Sequence, residues 1–460
     1  MPRVVILGGG IIGLSTAYYL STLPGPASGE ANTTATDGSA DERLEIHIVE
    51  ASPTLFDSAS GHAAGFLAKD WFSPAVAPLG EFSFNLHKQL AEQYGGRKRW
   101  GWSESVSYSL DRSSDPGSIL ATNTAAAASD EPRMDLDWLM NGTSRTTVLS
   151  SSRSSSSSSG VDELDECYPS WLRAEFAALQ PVSERTTTGQ VDPLLLCQFL
   201  LEQCLTKGVI MHHPARATRL VKVNPEDPNS PTSIDLEVAE TGQSYGAGSS
   251  VAREIWCDSL VIAAGCWTPR VYRTLFPNAG RIPKVTSLAG HSLILKSERW
   301  PKSSTMVTPT VPPCHAIFTS DPSGFSPEMF SRAGGDIWLG GLNSSTLPLP
   351  NLASDAFGMI SRSSIQTLTE VAKSLCGNDV EVIREGLCFR PVSATGAPIV
   401  AKIDEHDLGE GPKPKRGVFV ATGHGPWGIS LSLGTGYVVS EMVLGKEPSV
   451  NVAALSKWEA

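Results

Sequence analysis

Apolar and polar positions divide the chain into blocks of different period. Val4 to Leu7 is an unbroken apolar run, the pattern of a parallel strand buried on both faces. Three glycines follow within a short turn, and Ile11 to Leu20 reads as a helix packed back on that strand. "LEIHIVE", ending on Glu50, resumes a strand. Further on, Leu194, Cys197, Leu201 and Cys204 recur near helical spacing, which makes both cysteines core residues. Asp192 is the expected N-cap of that helix, Pro193 its first residue and Gly208 its C-cap, with a strand at Val209–His212 beyond. "SLVIAAGCWTP" repeats the strand-to-glycine turn and ends its strand before Gly265. "HSLILK" and "DIWLGGL" read as strands of a separate layer. "GVFVATGHGPWGISLSLGTGYVVSEMVLG" reads as strand, glycine-rich turn and terminal helix.

Two intervals lose this patterning. Residues 21–44 are rich in Pro, Gly, Ala, Ser and Thr, and residues 111–160 include "SSSRSSSSSSG". Neither offers enough apolar surface to hold a fold, so both read as flexible insertions, with Asp135–Met140 a short ordered island in the second.

The turn after the first strand carries chemistry. Gly8, Gly10 and Gly13 form G-x-G-x-x-G between a strand and a helix, the order required of a dinucleotide-binding turn. Gly8 permits the turn, Gly10 lets backbone approach a pyrophosphate, and Gly13 lets helix and strand touch. The N–H groups at Ile11 and Ile12 open the helix and favour the phosphate charge. The acidic partner of this motif normally lies about 20 residues on. Here it is Glu50, delayed by the insertion at 21–44, and its expected role is to accept hydrogen bonds from the adenosine ribose.

Composition narrows the rest. The chain has 460 residues, enough for two domains, and a formal net charge of −12, which gives no footprint for nucleic acid. No apolar run is long enough to span a membrane. Eight cysteines are scattered without C-x-x-C or metal-ligand clustering, so no metal site is expected and a reduced, cytoplasmic setting fits.

Together the blocks resemble the D-amino-acid oxidase, glycine oxidase and sarcosine oxidase superfamily of FAD-dependent oxidoreductases. The resemblance covers most of the chain outside the insertions, and the first and last blocks are most similar to a fungal and plant subgroup. One yeast member of that subgroup is linked with endosome-to-Golgi traffic, which adds the endosome surface as a location. FAD is the implied cofactor. The implied fold is α/β: a discontinuous Rossmann-like FAD-binding domain over 1–69, 190–280 and 386–460. An α+β substrate domain with an antiparallel or mixed sheet occupies 70–189 and 281–385. "ASGHAAGFLAKDW" is similar to the flavin-ring segment, assigning Ser60, Gly61, His62, Ala63, Ala64 and Gly65 to FAD. "VIAAGCW" assigns Ala264, Gly265 and Trp267, and "GHGPWGISLSLGTG" assigns Gly423, His424, Gly425, Trp427, Gly428 and Ile429. The helix after Gly428 is expected to aim its N-terminus at the flavin and stabilise negative charge there.

Within "GLCFRPVSATGAPIV", Arg390 falls where glycine oxidase has an arginine for the substrate carboxylate, and its alternative is a salt bridge or flavin support. Cys388 shares a strand face with Arg390, while Phe389 turns to the core. It also matches the cysteine that sarcosine-oxidase-type enzymes join to FAD, the alternative being an inert buried thiol. Trp427 either covers the flavin and walls the pocket or packs in the core. His62 either contacts FAD or caps a turn, and His291 is structural. Three positions depart from the family pattern. Pro426 replaces a second substrate arginine, Thr395 an acidic residue, and Trp338 the oxygen-activating lysine of sarcosine oxidases. The implied reaction is hydride transfer from a C–N bond of an amine or amino acid to flavin. Alternatives are a dehydrogenase with a non-oxygen acceptor and a low-turnover flavin-bound regulatory or trafficking protein. Oligomeric state is left open.

Overall fold

The structure is a computed structural model that describes residues 1–24, 44–110, 144–146, 168–173, 179–227, 230–239, 250–301, 313–321 and 324–458. Most of the expected insertions, including the island at Asp135–Met140, lie outside the described residues.

The first sheet has six strands in the order β17-β18-β11-β1-β2-β7: β17 (Ile399–Ile403), β18 (Gly417–Thr422), β11 (Ser259–Ile262), β1 (Arg3–Leu7), β2 (Glu45–Val49) and β7 (Ile210–His212). All pair in parallel except β17. The apolar run of β1 is explained by burial on both faces. Val4 and Ile6 pack on one side with α1 (Ile11–Leu20), α5 (Pro193–Thr206) and α8 (Gly428–Val443). Val5 and Leu7 pack on the other with α6 (Thr268–Leu275) and the three-stranded sheet β8 (Ala215–Lys222), β9 (Thr232–Val238) and β10 (Val251–Trp256). Each such side chain contributes roughly 1.5–3 kcal/mol. The three-stranded sheet has no counterpart in the expectations above. Its outer strand is almost wholly exposed, so it shows little of the alternation that marks a half-buried strand.

The α5 expectation holds for the N-cap and the cysteines: Asp192 accepts from the Leu195 amide, and Cys197 and Cys204 are buried, whereas the C-cap is Lys207, with Gly208 at φ +87° one residue beyond.

The second layer has nine strands. Its path runs β16 (Val380–Ser393), β12 (Val285–Ser297), β15 (Asp336–Ser344), β14 (Glu328–Ser331), β13 (Cys314–Thr319), β4 (Ser103–Leu110), β6 (Thr188–Gln190) and β3 (Phe66–Ala68), with β5 (Leu179–Pro181) on β4. The sheet is mixed, because β13 and β4 run parallel among antiparallel pairs. Alternation sorts its side chains. Leu293, Leu295, Ile337 and Leu339 pack under α7 (Arg362–Cys376), while Ile294 and Trp338 face the opposite way. β3 and all of β16 belong to this layer, so the chain enters it before Phe66 and leaves it after Ser393. Helix α2 (Ala59–His62) touches α5 and β16, and α3 (Ala77–Tyr94) touches α8 and β3, so both bridge the layers, while α4 (Gly96–Trp100) packs on α3 and α5.

Candidate active site

A cavity of about 530 Å³ opens between the two layers. Its first wall is the turn from β1 to α1, contributed by Gly8, Gly10, Ile11 and Ile12. Gly8 has φ +115°, and a Cβ there would stand 2.4 Å from the Ala263 carbonyl oxygen. Gly13 lies beneath this wall, where a Cβ would come within 2.0 Å of the Gly8 oxygen. The chain is therefore closed to side chains where a pyrophosphate needs close backbone approach. Glu50 ends β2 beside this turn and binds both rims. One carboxylate oxygen accepts from the Gly9 amide and the other from the Ser52 amide, each at 2.8 Å. The cradle fits an adenine dinucleotide.

The segment from Ala59 to Trp71, which the resemblance assigns to the flavin ring, is held from behind. Ser60 accepts from the Ile11 amide at 3.0 Å, and Ala63 and Ala64 line the cavity. Their carbonyls accept from buried Arg332, at 2.9 and 3.1 Å, and the Ala64 carbonyl also from Gln190 at 2.7 Å. Gly61 and Gly65 do not reach the cavity, because each presses on another backbone carbonyl, that of Phe56 or Val191. His62 also lies off the cavity wall. Its carbonyl accepts from the Trp338 indole at 3.0 Å, and burial, helped by Arg384, pushes its imidazole down to about 4.

From the other side, Ala264, Gly265 and Trp267 line the wall, and Thr422 donates to the Gly265 carbonyl at 2.9 Å. The last loop supplies His424, Gly425, Gly428 and Ile429, and Pro426 with them. Gly423 stays behind the wall against Ser393. His424 is bonded to Thr435 at 3.0 Å, and burial pushes its imidazole down to about 3, so it stays neutral. Trp427 is absent from the wall. Its ring packs on Phe72, with centroids 4.9 Å apart, and under the Arg145 guanidinium at 4.4 Å, which is the packing alternative.

The remaining wall is polar side chains on the nine-stranded sheet. Cys388 and Arg390 both line it, as their spacing requires, although the flanking Phe389 also touches the cavity as well as the core. Burial pushes the Cys388 thiol up, against a smaller opposing effect of Arg390, so it keeps its proton. Arg390 donates to Asn343 at 2.7 Å, and among the described residues no carboxylate stands in ion-pair distance of it. Arg145 and Glu328 form a buried ion pair on the wall, with Nη2 to Oε2 at 3.0 Å. Burial, with Arg390 adding to it, holds Arg145 below the usual guanidinium range against the pull of Glu328. Arg145, Glu328, Arg332 and Asn343 escaped the sequence reading, since none sits in a motif and Arg145 adjoins low-complexity sequence. Trp338 walls the same region with an apolar ring. His291 accepts from the Ser361 amide at the start of α7, the structural role expected.

A glycine cradle beside a strand-end carboxylate, joined to a mixed sheet bearing polar residues, has the geometry of a two-layer flavoenzyme. The chain belongs to the DAO family, FAD dependent oxidoreductase, whose model matches residues 3–442. FAD is its cofactor. A candidate oxidoreductase of Schizosaccharomyces pombe is 25% identical over 473 residues, covering 98% of this chain and 97% of the relative. A D-amino acid dehydrogenase of Methylobacterium nodulans is 23% identical, covering 97% and 96%. Glycine oxidase from Geobacillus kaustophilus has the same fold, with a TM-score of 0.65 at 20% identity over 99% of this chain and 98% of that one. Among the described residues no helix is long and apolar enough to cross a membrane.

Proposed function

We propose that the protein oxidises the C–N bond of an α-amino carboxylate. The observation that carries this reading is Arg390, whose guanidinium reaches the cavity wall with, among the described residues, only a neutral amide as partner. Its charge is left for a ligand, and its fork matches two carboxylate oxygens. When bound, FAD accepts the hydride from the carbon beside nitrogen. The protein orients that carbon by holding the carboxylate, and the buried apolar surfaces of Trp338 and Phe389 exclude water. Neutral His424 places no positive charge in the flavin loop. Relatives named D-amino acid dehydrogenase and the glycine oxidase fold are consistent with this class.

The test is anaerobic mixing of flavin-loaded protein with D- and L-amino acids, N-methylated amino acids and the corresponding decarboxylated amines. Bleaching of the flavin by an amino carboxylate, much weakened in Arg390→Ala, is expected. Equal bleaching by the decarboxylated amine would remove Arg390 from this role.

One observation favours a second aspect, an electron acceptor other than oxygen. Trp338 fills its place with an indole tied to the His62 carbonyl, where oxygen-activating relatives carry a cation. Reduced protein should then reoxidise faster with a quinone or dye than with dissolved oxygen, and fast oxygen turnover would sink that aspect.

A further inference from the structure

Three adjacent strands meet at Arg390. Gly290 on β12 pairs with Cys388 on β16 on one side and with Asn343 on β15 on the other. Leu288, two residues before Gly290, pairs with Arg390. Directly paired residues share a sheet face, so Cys388, Gly290 and Asn343 form one row and Arg390 begins the next. The Arg390 side chain crosses β12 diagonally, over Gly290, and ends on Asn343 with a 2.7 Å hydrogen bond. The crossing exists only because position 290 has no side chain. A Cβ there would lie 2.2 Å from Nη1, 2.9 Å from Cζ and 3.0 Å from Nη2 of Arg390.

We propose that Gly290 and Asn343 are positioning residues that aim Arg390 at the substrate carboxylate, an inference that rests on the reading of Arg390 given above. Gly290 provides the track on which the guanidinium lies, and Asn343 fixes its far end. The chemistry of the anchor matters as much as its place. A carboxylate at 343 would hold the guanidinium equally well and would cancel its charge; an amide holds it and leaves the charge for a ligand. A guanidinium free to swing would lose rotamer freedom on each binding event.

Gly290→Ala is a clean probe. Gly290 does not have a positive φ, so alanine strains no backbone, and the three atoms nearest the new Cβ all belong to the end of the Arg390 side chain. The experiment uses flavin-loaded protein and acetate as probe, following perturbation of the flavin spectrum, together with KM and kcat on whichever amino acid bleaches the flavin. Gly290→Ala and Asn343→Leu should each weaken acetate about tenfold and raise KM with kcat little changed. Asn343→Asp, which keeps the anchor and neutralises the charge, should weaken acetate at least as much. In an Arg390→Ala background, Gly290→Ala should change acetate binding by less than about twofold. The inference is overturned if Gly290→Ala and Asn343→Leu bind acetate like the wild type while Arg390→Ala does not. It is overturned too if Gly290→Ala costs as much without Arg390 as with it, since the effect would then not pass through the guanidinium. If Arg390→Ala itself binds acetate normally, the carboxylate reading fails and this inference fails with it.

Discussion

At the nucleotide end of the cavity the working contacts are made by backbone that lies close in sequence, whereas at the substrate end they are made by side chains from three strands and one further segment. Gly8, Gly10 and the first turn of α1 are a single continuous segment, joined only by Glu50 from the next strand. Arg390, Asn343 and Glu328 come from β16, β15 and β14, and Arg145 from beside an insertion. A cradle of the first kind tolerates almost no change in shape but has little freedom of charge. A wall of the second kind tolerates new shapes and can be retuned by single side chains. Mutations should separate the two ends accordingly.

The largest effect belongs to Gly13→Ala. The new Cβ would sit 2.0 Å from the Gly8 carbonyl oxygen, a backbone atom that cannot yield without opening the α1–β1 contact. Overpacking of this kind costs roughly 1–3 kcal/mol or more, and here it also deforms the cradle. The expected outcome is protein that retains almost no FAD after gel filtration, with a lowered Tm. A yellow protein with the wild-type flavin-to-protein absorbance ratio would refute the cradle.

Glu50→Gln is next. Its carboxylate receives two amides, so the substitution turns two charge-assisted bonds into at most one neutral bond. FAD affinity should fall by about tenfold to a hundredfold, which is roughly 1.4–2.8 kcal/mol. Arg390→Ala should leave FAD affinity nearly untouched. If titration of the apoprotein shows the two variants losing FAD equally, the division between the ends is wrong.

How much of each end could be read from the chain follows the same division. The β1–turn–α1 unit, the α5 N-cap and the α8 loop are set by local period and by glycine spacing, and they appear where expected. Cys388 and Arg390 shared a face because a strand's period is two. Asn343, Gly290 and Glu328 were invisible, because what brings them to Arg390 is the order of strands in a sheet, and no single strand encodes its neighbours. Trp427 shows the converse: its loop was recognised, but the direction of its ring depends on Phe72 and Arg145, both distant in sequence.

Acid should act on both ends at once, by a different route. Burial pushes His62, His87 and His212 each down to about 4, so in the folded state they resist protonation. In the unfolded chain they take up protons near pH 6.5. Above that pH they are neutral in both states and cost nothing. As pH falls from about 6.5 toward 4 the unfolded state binds the extra protons, and stability is lost throughout that window. Tm should therefore drop steadily over it. His87 donates to the Ile429 carbonyl at the start of α8, and glutamine can make the same bond. His87→Gln should flatten the pH dependence of Tm by about one proton's worth, and an unchanged slope would exclude His87 from the effect.

The smallest effect tests where the two ends are fastened together. Ser52 follows Glu50 on the nucleotide side, and its buried hydroxyl accepts from the Ser354 amide at 3.1 Å, in the 3-10 turn Ala353–Met359 that follows β15. That turn lies over the cavity, with Leu352 and Ala353 on its wall. It is tied to the nucleotide side a second time, where the Trp267 indole donates to the Pro350 carbonyl at 2.9 Å. Ser52→Ala removes one of several ties, since Arg270 of α6 also donates to Asn351, and leaves the Ser354 N–H to water, at a cost of about 0.5–1.5 kcal/mol. Because the tie spans the cavity instead of shaping the cradle, the loss should appear in the rate of FAD release, faster by about twofold to tenfold, more than in the wavelength of the bound flavin. The same change in release from Ser52→Ala and from Ser52→Thr, which keeps the acceptor, would mean that the hydroxyl does not fasten the two layers.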